Sequence, residues 1–265
     1  MFKTIVARLK QGHRTMRYPD GPPPAMPERF KGIPTIDPAL CGKGCKRCVD
    51  ACPTDAIIPV TGSLHLDLGR CIFCGECAEA CPEGAINFGA DHRMSARTRE
   101  DLVLKAPEAL RLAAALNEKT RSLFGRSFRL RQVSAGGCNA CEADVNVLQT
   151  VGWDLGRFGV QFVASPRHAD GLLVTGAVSQ NMRDALKKTY EAVPGPKVVI
   201  AVGACAISGG PYAGYPEVVD GAANVVPVDL FIPGCPPHPL TILDGILRLL
   251  DRLGKEGKRE RGAPD

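Results

Sequence analysis

The sequence predicts an α/β protein with two domains: an amino-terminal α+β domain built on two cysteine runs, then a domain with a parallel sheet. Residues 41–82 hold eight of the chain's 12 cysteines in two runs, each closed by Cys-Pro. Downstream, apolar segments alternate with helical patterns, which is typical of a parallel sheet. With 265 residues and 45% hydrophobic content, the chain is long enough to bury a core in both domains.

The second cysteine run has the spacing of bacterial two-cluster ferredoxins, Cys-x2-Cys-x2-Cys-x3-Cys-Pro, from Cys71 to Pro82. The fourth cysteine of such a run binds the neighbouring cluster. The spacing therefore predicts two [4Fe-4S] clusters with exchanged fourth ligands. One is expected on Cys71, Cys74, Cys77 and Cys52, and the other on Cys41, Cys45, Cys48 and Cys81.

The first cysteine run departs from this spacing by one residue, because Gly42, Lys43 and Gly44 separate its first two cysteines. Glycines on both sides of the extra residue allow a bulged loop. A zinc site and a disulfide scaffold are the alternatives. Zinc sites favour separated Cys-x2-Cys pairs, and disulfide scaffolds belong to small secreted chains. A doubled run ending in Cys-Pro is typical of neither, so we expect iron–sulfur clusters.

The two cysteine runs also look like an internal duplication. Residues 56–58 and 64–68 are predicted strands around a turn at 61–63, and residues 85–88 repeat the pattern after the second run. The matching stretches CPTDAI and CPEGAI support a ferredoxin fold in which each half contributes three ligands to one cluster and one ligand to the other.

Composition and charge argue against some classes of function and compartment. The net charge of +5 is modest and concentrates near the two ends, which gives little support to nucleic-acid binding. No apolar stretch has the length of a signal peptide or of a membrane span. With 12 thiols, a reducing cytoplasm is the expected compartment.

Helical spacing of apolar residues at 2–9, among basic residues, predicts a short amphipathic helix that lies on an anionic membrane, docks on a partner or packs as a tail. Residues 18–27 are proline-rich and predict an extended connector. A helix is predicted over 107–124. The predicted organisation is a basic segment and connector at 1–28, the ferredoxin domain at 29–90, a linker and helix at 91–125, the second domain at 126–254 and a charged tail at 255–265.

Within the second domain, alternating patterns predict five strands and three helices. The strands are expected at 128–133, 158–164, 171–175, 197–202 and 225–232, and the helices near 144–150, 181–193 and 239–253. The remaining four cysteines each follow one of these strands. Since ligands gather at the carboxyl ends of parallel strands, the pattern predicts a third [4Fe-4S] cluster rather than four isolated core cysteines. Its ligands would be Cys138, Cys141, Cys205 and Cys235.

The second domain resembles a known family through four stretches in order: GGCNACEADVNVL, LLVTGAVSQNM, VVIAVGACAISGG and VPVDLFIPGCPPHPLTILDGIL. They are similar to the small iron–sulfur subunit of energy-converting nickel–iron hydrogenases, including formate hydrogenlyase, and to its counterpart in respiratory complex I. The front, including RYPDGPPPAMPERFKGIPTIDP, resembles the two-cluster ferredoxin-type subunit of the same complexes. The resemblance implies a fusion of two subunits, the second with a flavodoxin-like fold.

The resemblance also separates two branches of the family. Complex I members have two adjacent cysteines at the first ligand position, whereas Asn139 and Ala140 stand between the cysteines here, as in the hydrogenase branch. Glu142 and Asp144 lie where the family often has an acidic residue, which suggests proton transfer; the alternative is that they are loop or helix-start carboxylates. His238 is expected to be a loop residue.

The function implied is that of an electron-transfer subunit of an oxidoreductase, without a catalytic residue of its own. The expected partners are a hydrogenase or complex I-type large subunit, the membrane subunits of the complex and a soluble electron donor. The expected location is the cytoplasmic face of the inner membrane. A quinone-reducing module is one alternative. A redox-sensing or scaffold protein is another, of a different class.

Overall fold

The computed structural model describes residues 2–12, 14–42, 44–60, 63–105, 108–125 and 127–253. The predicted bulge residue Lys43, most of the turn at 61–63, the proline expected to open the 107–124 helix and the charged tail lie outside these ranges. Within the described part of the chain, no helix is both long and apolar enough to cross a membrane.

The amino-terminal half contains a helix, five short strands and two single-turn helices. Its elements are α1 (Phe2–Gln11), β1 (Pro34–Ile36), α2 (Arg47–Asp50), β2 (Ile57–Val60), β3 (Ser63–Asp67), α3 (Glu76–Glu79), β4 (Ile86–Phe88) and β5 (Val103–Lys105). Strands β1 and β4 pair antiparallel, and β2, β3 and β5 form a second antiparallel sheet in that order. This arrangement confirms the predicted ferredoxin-type domain. The sequence patterns did not predict β1 or β5.

The carboxyl-terminal half contains a five-stranded parallel sheet. The strand order β10-β9-β8-β6-β7 is the flavodoxin-like order, as predicted. The elements are α4 (Glu118–Leu123), β6 (Phe128–Ser134), α5 (Ala140–Val147), β7 (Val160–Phe162), β8 (Gly171–Thr175), α6 (Gln180–Ala192), β9 (Val198–Val202), α7 (Ala204–Ser208), β10 (Leu230–Ile232) and α8 (Pro239–Leu249).

The two faces of this sheet pack against different partners. Since side chains alternate along a strand, Leu172 and Val174 of β8 share a buried cluster with Leu66 and Ile86 of the amino-terminal half. Leu173 points to the other face, in a cluster with the apolar side of α8. The sheet is thus buried on both faces, as parallel sheets are.

The prediction of a helix over 107–124 is wrong for its first part, because helix α4 begins only at Glu118. The described residues before it bond to distant partners: Ala113 N donates to Ser95 O, and Leu116 N donates to Leu249 O. Both side chains are buried, so tertiary packing holds this stretch in an irregular path. Other boundaries also differ: α5 begins earlier than predicted, α8 ends earlier, and β7 and β10 are shorter.

Polar contacts join the two halves between β3 and α7. Within the amino-terminal half, Arg99 donates two hydrogen bonds, of 2.7 and 2.5 Å, to the buried carboxylate of Asp67, two residues before Gly69. Ser208 Oγ donates to Gly69 O at 2.9 Å. A bridge between Ala96 and Phe231 adds a short strand-like contact beside β10. The hydrogen bond from Ser208 connects the loop before Cys71 to α7, the helix that carries Cys205.

Candidate iron–sulfur centres

The cysteines predicted to bind the first cluster line one cavity in the amino-terminal half. Its walls include Cys41, Cys45, Cys48 and Cys81 together with Leu64 and Ile86. Cys48 is buried in the single turn α2, whereas Cys45 is exposed. Cys81, the predicted crossing ligand, therefore lines the cavity of the first run although it belongs to the second run.

The cysteines predicted to bind the second cluster line a separate, narrower cavity: Cys52, Cys71, Cys74 and Cys77. This cavity is more enclosed, and burial raises the pKa of Cys71 to about 12 and that of Cys77 to about 11. A buried thiolate is unfavourable by itself, and a bound iron ion would remove that cost because a coordinating thiol is deprotonated.

Backbone hydrogen bonds repeat the internal duplication around the crossing cysteines. Ala56 N donates to Cys52 Sγ at 3.2 Å, and Ala85 N donates to Cys81 Sγ at 3.3 Å. In both cases the donor lies four residues after the cysteine. Hydrogen bonds to a ligand sulfur are one of the factors that set the potential of an iron–sulfur cluster. The sulfurs of Cys52 and Cys81 therefore have equivalent hydrogen bonds in the two cysteine runs.

The other four cysteines lie at the carboxyl ends of strands of the parallel sheet. Cys138 follows β6, and Cys141 is in the first turn of α5. Cys205 is in the first turn of α7 after β9, and Cys235 follows β10. Burial raises the pKa of Cys141, and the nearby Cys205, Cys235 and Cys138 raise it further. The structure therefore brings together the four cysteines that the strand pattern singled out.

Glycines leave room around these sulfurs. A Cβ at Gly203 would lie 2.5 Å from Cys141 Sγ, and a Cβ at Gly210 would lie 2.8 Å from Cys205 Sγ. Both glycines have positive φ, which other residues rarely adopt. Within the described ranges, no three His, Cys, Asp or Glu side chains are arranged to hold a single metal ion. The thiol donors, the cavities and these glycine contacts fit a larger iron–sulfur group.

The carboxylate of Glu142 is buried beside the third cysteine set. Its Oε1 accepts hydrogen bonds from Ser134 Oγ at 2.6 Å and from Thr175 Oγ1 at 2.7 Å. Burial favours the neutral acid and raises the pKa of Glu142. The hydrogen bonds from Ser134 and Thr175 stabilise the carboxylate more strongly, so the net pKa of Glu142 is lowered. Asp144, the other predicted residue, is half-buried, and burial raises its pKa. The sequence patterns did not single out Ser134 or Thr175, because hydroxyls at strand ends carry no motif.

His238 caps helix α8, as expected of a loop residue rather than a ligand. Its Nδ1 accepts a hydrogen bond from Leu240 N at 3.1 Å. Its ring makes edge contacts with Phe30 and Trp153, with centroids 5.5 and 5.9 Å away. His238 thus joins the loop of Cys235 to the amino-terminal segment.

The second cysteine set lies next to each of the other two sets, and helix α3, which carries Cys77, contacts helix α2, which carries Cys48. Cys48 of the first set is among the charges that raise the pKa of Cys77 in the second set. Cys74 of the second set does the same to Cys235 in the third set. Cys74 and Cys235 are 161 positions apart in the sequence, so only the packing of the two halves brings them close.

Comparison with protein families gives two separate matches. Residues 33–92 match the 4Fe-4S dicluster domain, and residues 138–249 match the NADH ubiquinone oxidoreductase, 20 Kd subunit. The first match covers the eight cysteines of the two runs. The second covers the four cysteines at the strand ends.

A probable membrane-bound hydrogenase subunit mbhJ from Pyrococcus furiosus is 43% identical over 52% of this chain and 82% of its own length. An NADH-quinone oxidoreductase subunit from Geotalea daltonii is 45% identical over 45% of this chain and 70% of its own. This chain belongs to the family of the NADH ubiquinone oxidoreductase, 20 Kd subunit. Membership in this family confirms the resemblance found in the sequence, and with it the expectation of an iron–sulfur subunit of an oxidoreductase.

A solved chain from the membrane-bound sulfane sulfur reductase, an archaeal respiratory membrane complex, is also similar. It is 31% identical, with 53% of this chain and 78% of that chain covered and a TM-score of 0.45. The relatives from Pyrococcus furiosus and Geotalea daltonii likewise match only about half of this chain.

Proposed function

We propose that this chain is the electron-transfer subunit of a membrane-associated oxidoreductase and relays electrons between a soluble donor and a catalytic large subunit. When bound, [4Fe-4S] clusters accept and release single electrons. Three such clusters are proposed. Their ligands would be Cys41, Cys45, Cys48 and Cys81; Cys71, Cys74, Cys77 and Cys52; and Cys138, Cys141, Cys205 and Cys235.

The continuous row of cysteine sets carries this proposal. Helices α2 and α3, which carry Cys48 and Cys77, contact each other, and the adjacent residues Phe30 and Lys31 contact His238, in the loop of Cys235, and Cys74. A relay needs each cluster site to lie next to the following one in space. These contacts connect the first site to the second and the second site to the third. A scaffold or redox sensor would need no such continuity between its sites.

The exposed ends of the row suggest where the two partners bind. Cys45 is exposed at the first set, beside the exposed basic residues Lys46 and Arg47. Cys138 and Cys235 are exposed at the third set, whereas Cys71 and Cys77 of the middle set are buried. We therefore place the soluble donor at the first set and the large subunit at the third.

Catalysis is assigned to the large subunit. In this proposal all 12 cysteines hold iron, so none remains as a nucleophile or as a nickel ligand. The residues between Cys138 and Cys141 follow the hydrogenase-type spacing, which favours a nickel–iron hydrogenase as the complex. The quinone-reducing alternative is kept because the relative from Geotalea daltonii, an NADH-quinone oxidoreductase subunit, is 45% identical over 45% of this chain.

Metal analysis tests the cluster assignment directly. Chain purified without oxygen is expected to contain about 12 iron and about 12 acid-labile sulfide, four of each per cluster. Stoichiometric zinc with little sulfide would overturn the proposal. Eight iron, with no further loss in Cys205→Ser, would refute the third cluster alone.

Activity measurements then separate the relay from its alternatives. The isolated chain should exchange electrons with redox dyes but evolve no hydrogen and reduce no quinone. In the complex with the large subunit, serine at Cys205 should abolish turnover and leave the two ferredoxin-type clusters intact. Hydrogen evolution by the chain alone contradicts the assignment. Quinone reduction by the complex without hydrogen chemistry favours the complex I-like alternative, and clusters that never turn over favour a sensor or scaffold.

A further inference from the structure

A strap of residues 15–33 crosses from one half of the molecule to the other. At its start, Met16 N donates to Gly152 O at 2.9 Å, in the carboxyl-terminal half. At its end, Gly32 N donates to Gly89 O at 2.8 Å, and Ile33 N donates to Asp91 O at 2.9 Å, in the amino-terminal half. The strap is therefore held at both ends by backbone hydrogen bonds.

The last residues of the strap lie where the second and third cysteine sets meet. The Phe30 ring packs edge-on against His238, three residues after Cys235, with the centroids 5.5 Å apart. The next side chain, Lys31, extends to the second set, where its Nζ donates to the carbonyl oxygen of Cys74. The strap thus places an ammonium group beside Cys74 of the second set, while the preceding ring of Phe30 contacts the loop that carries Cys235.

The local backbone is shaped to admit this ammonium group. Gly75 has a φ of 93°, and a Cβ at this position would collide with Nζ of Lys31. Lys31 is half-buried, so its charge is screened less than that of a lysine in open solvent. The contact between the two halves therefore includes a positive charge at a defined place.

We propose that Lys31 raises the reduction potential of the cluster held by Cys71, Cys74, Cys77 and Cys52, an inference that rests on the proposed function. Reduction adds one electron and one negative charge at this site. A fixed ammonium group nearby stabilises the more negative form, and no proton needs to move. Because Cys235 lies close to Cys74, the charge of Lys31 also acts on the third site, but more weakly than on the second site. Lys31 is thus a tuning residue at the junction of the relay.

A redox titration of the full chain, followed by electron paramagnetic resonance without oxygen, tests this inference. The signal of the second cluster is identified by its loss in Cys71→Ser. Lys31→Gln keeps a hydrogen-bond donor for the Cys74 carbonyl but removes the charge, and Lys31→Arg keeps the charge. Lys187→Gln, at an exposed position of α6, is the matched control for removing one positive charge.

We expect Lys31→Gln to make reduction of the second cluster about tenfold less favourable, a shift of about 59 mV to lower potential for one electron. Lys31→Arg and Lys187→Gln should leave the potential near that of the unmodified chain. An unchanged potential in Lys31→Gln, or an equal shift in Lys31→Arg, overturns the inference. Lys31→Met serves as a second uncharged variant if Lys31→Gln loses iron. Iron content is measured in parallel, and an unmodified chain that holds no clusters would refute the proposed function rather than the role of Lys31.

Discussion

The hydroxyl of Tyr18 donates a 2.7 Å hydrogen bond to Oδ1 of Asp244, between residues 226 positions apart. Both side chains are buried, at 5% and 0% exposure. The other oxygen of Asp244 accepts from Arg248 Nε at 2.7 Å, one turn further along α8. The strap is therefore tied to the last helix by a buried, charge-assisted hydrogen bond, which is among the stronger kinds.

Removing this hydroxyl should loosen the strap. Tyr18→Phe is expected to reduce the free energy of unfolding by about 1–3 kcal/mol, because the buried carboxylate loses one donor. Denaturant unfolding without oxygen measures this change. Tyr212→Phe, at a side chain that is 49% exposed, is the control and should have almost no effect. Equal stability of the two variants would show that the hydrogen bond contributes nothing.

Exchange of the fourth ligands can be tested with two matched variants. Cys52→Ser should perturb the spectroscopic signal of the cluster on Cys71, Cys74 and Cys77, because Cys52 lines their cavity. Cys81→Ser should perturb the other cluster of the amino-terminal half, since Cys81 lines the cavity of the first run. The opposite pattern of losses would mean that each run keeps its own fourth ligand.

A single methyl group should disturb the third site. Gly203→Ala is expected to lower the iron content by about four per chain, since its Cβ would lie 2.5 Å from Cys141 Sγ and its φ of 90° is strained for alanine. Gly152→Ala is the matched control, because nothing lies within 4 Å of a Cβ there. Full iron content in Gly203→Ala would argue against the proposed placement of the third cluster.

Stability should depend on pH through His92. Burial lowers the pKa of this imidazole below its ordinary 6.5, so the folded state binds its proton less readily than the unfolded state. Stability is therefore expected to fall as pH decreases from about 6.5 towards the lower folded-state pKa, and to level off below it. Unfolding midpoints between pH 7.5 and about 5.5 should fall less in His92→Gln. His168→Gln, at an exposed position, should retain the full dependence; equal slopes for both variants would contradict this role.

Helix α1 offers a test of attachment. Its apolar side chains Phe2, Ile5 and Leu9 are 79%, 54% and 78% exposed, and its polar side is basic. If α1 docks on a membrane or a partner, deletion of residues 2–11 should leave iron content unchanged and weaken attachment in membrane fractionation. Lys10→Gln should weaken attachment less. Attachment that survives the deletion would identify α1 as a tail without this role.

Much of the candidate site can be predicted from the sequence because its cysteines and strands follow short-range patterns along the chain. Cysteine spacing predicted the crossed ligand sets, whose members line two cavities as expected, although the binding of iron by each cysteine stays a prediction. The strand β8 was predicted at its observed residues, because a fully buried strand is a continuous apolar run. The short strands β1 and β5 were missed, since three residues carry too little pattern to identify a strand.

Other features are decided only by tertiary contacts. The stretch before α4 has a helical pattern, yet Ala113 and Leu116 bond to distant carbonyl groups, because burying their side chains outweighs weak helix propensity. The nearness of Cys74 and Cys235, and the place of Lys31 beside them, depends on how the two halves and the strap pack. Spacing along the chain determines which cysteines form each set. Only the packing of buried apolar surfaces decides which sets are neighbours, because such contacts are not encoded in any local pattern.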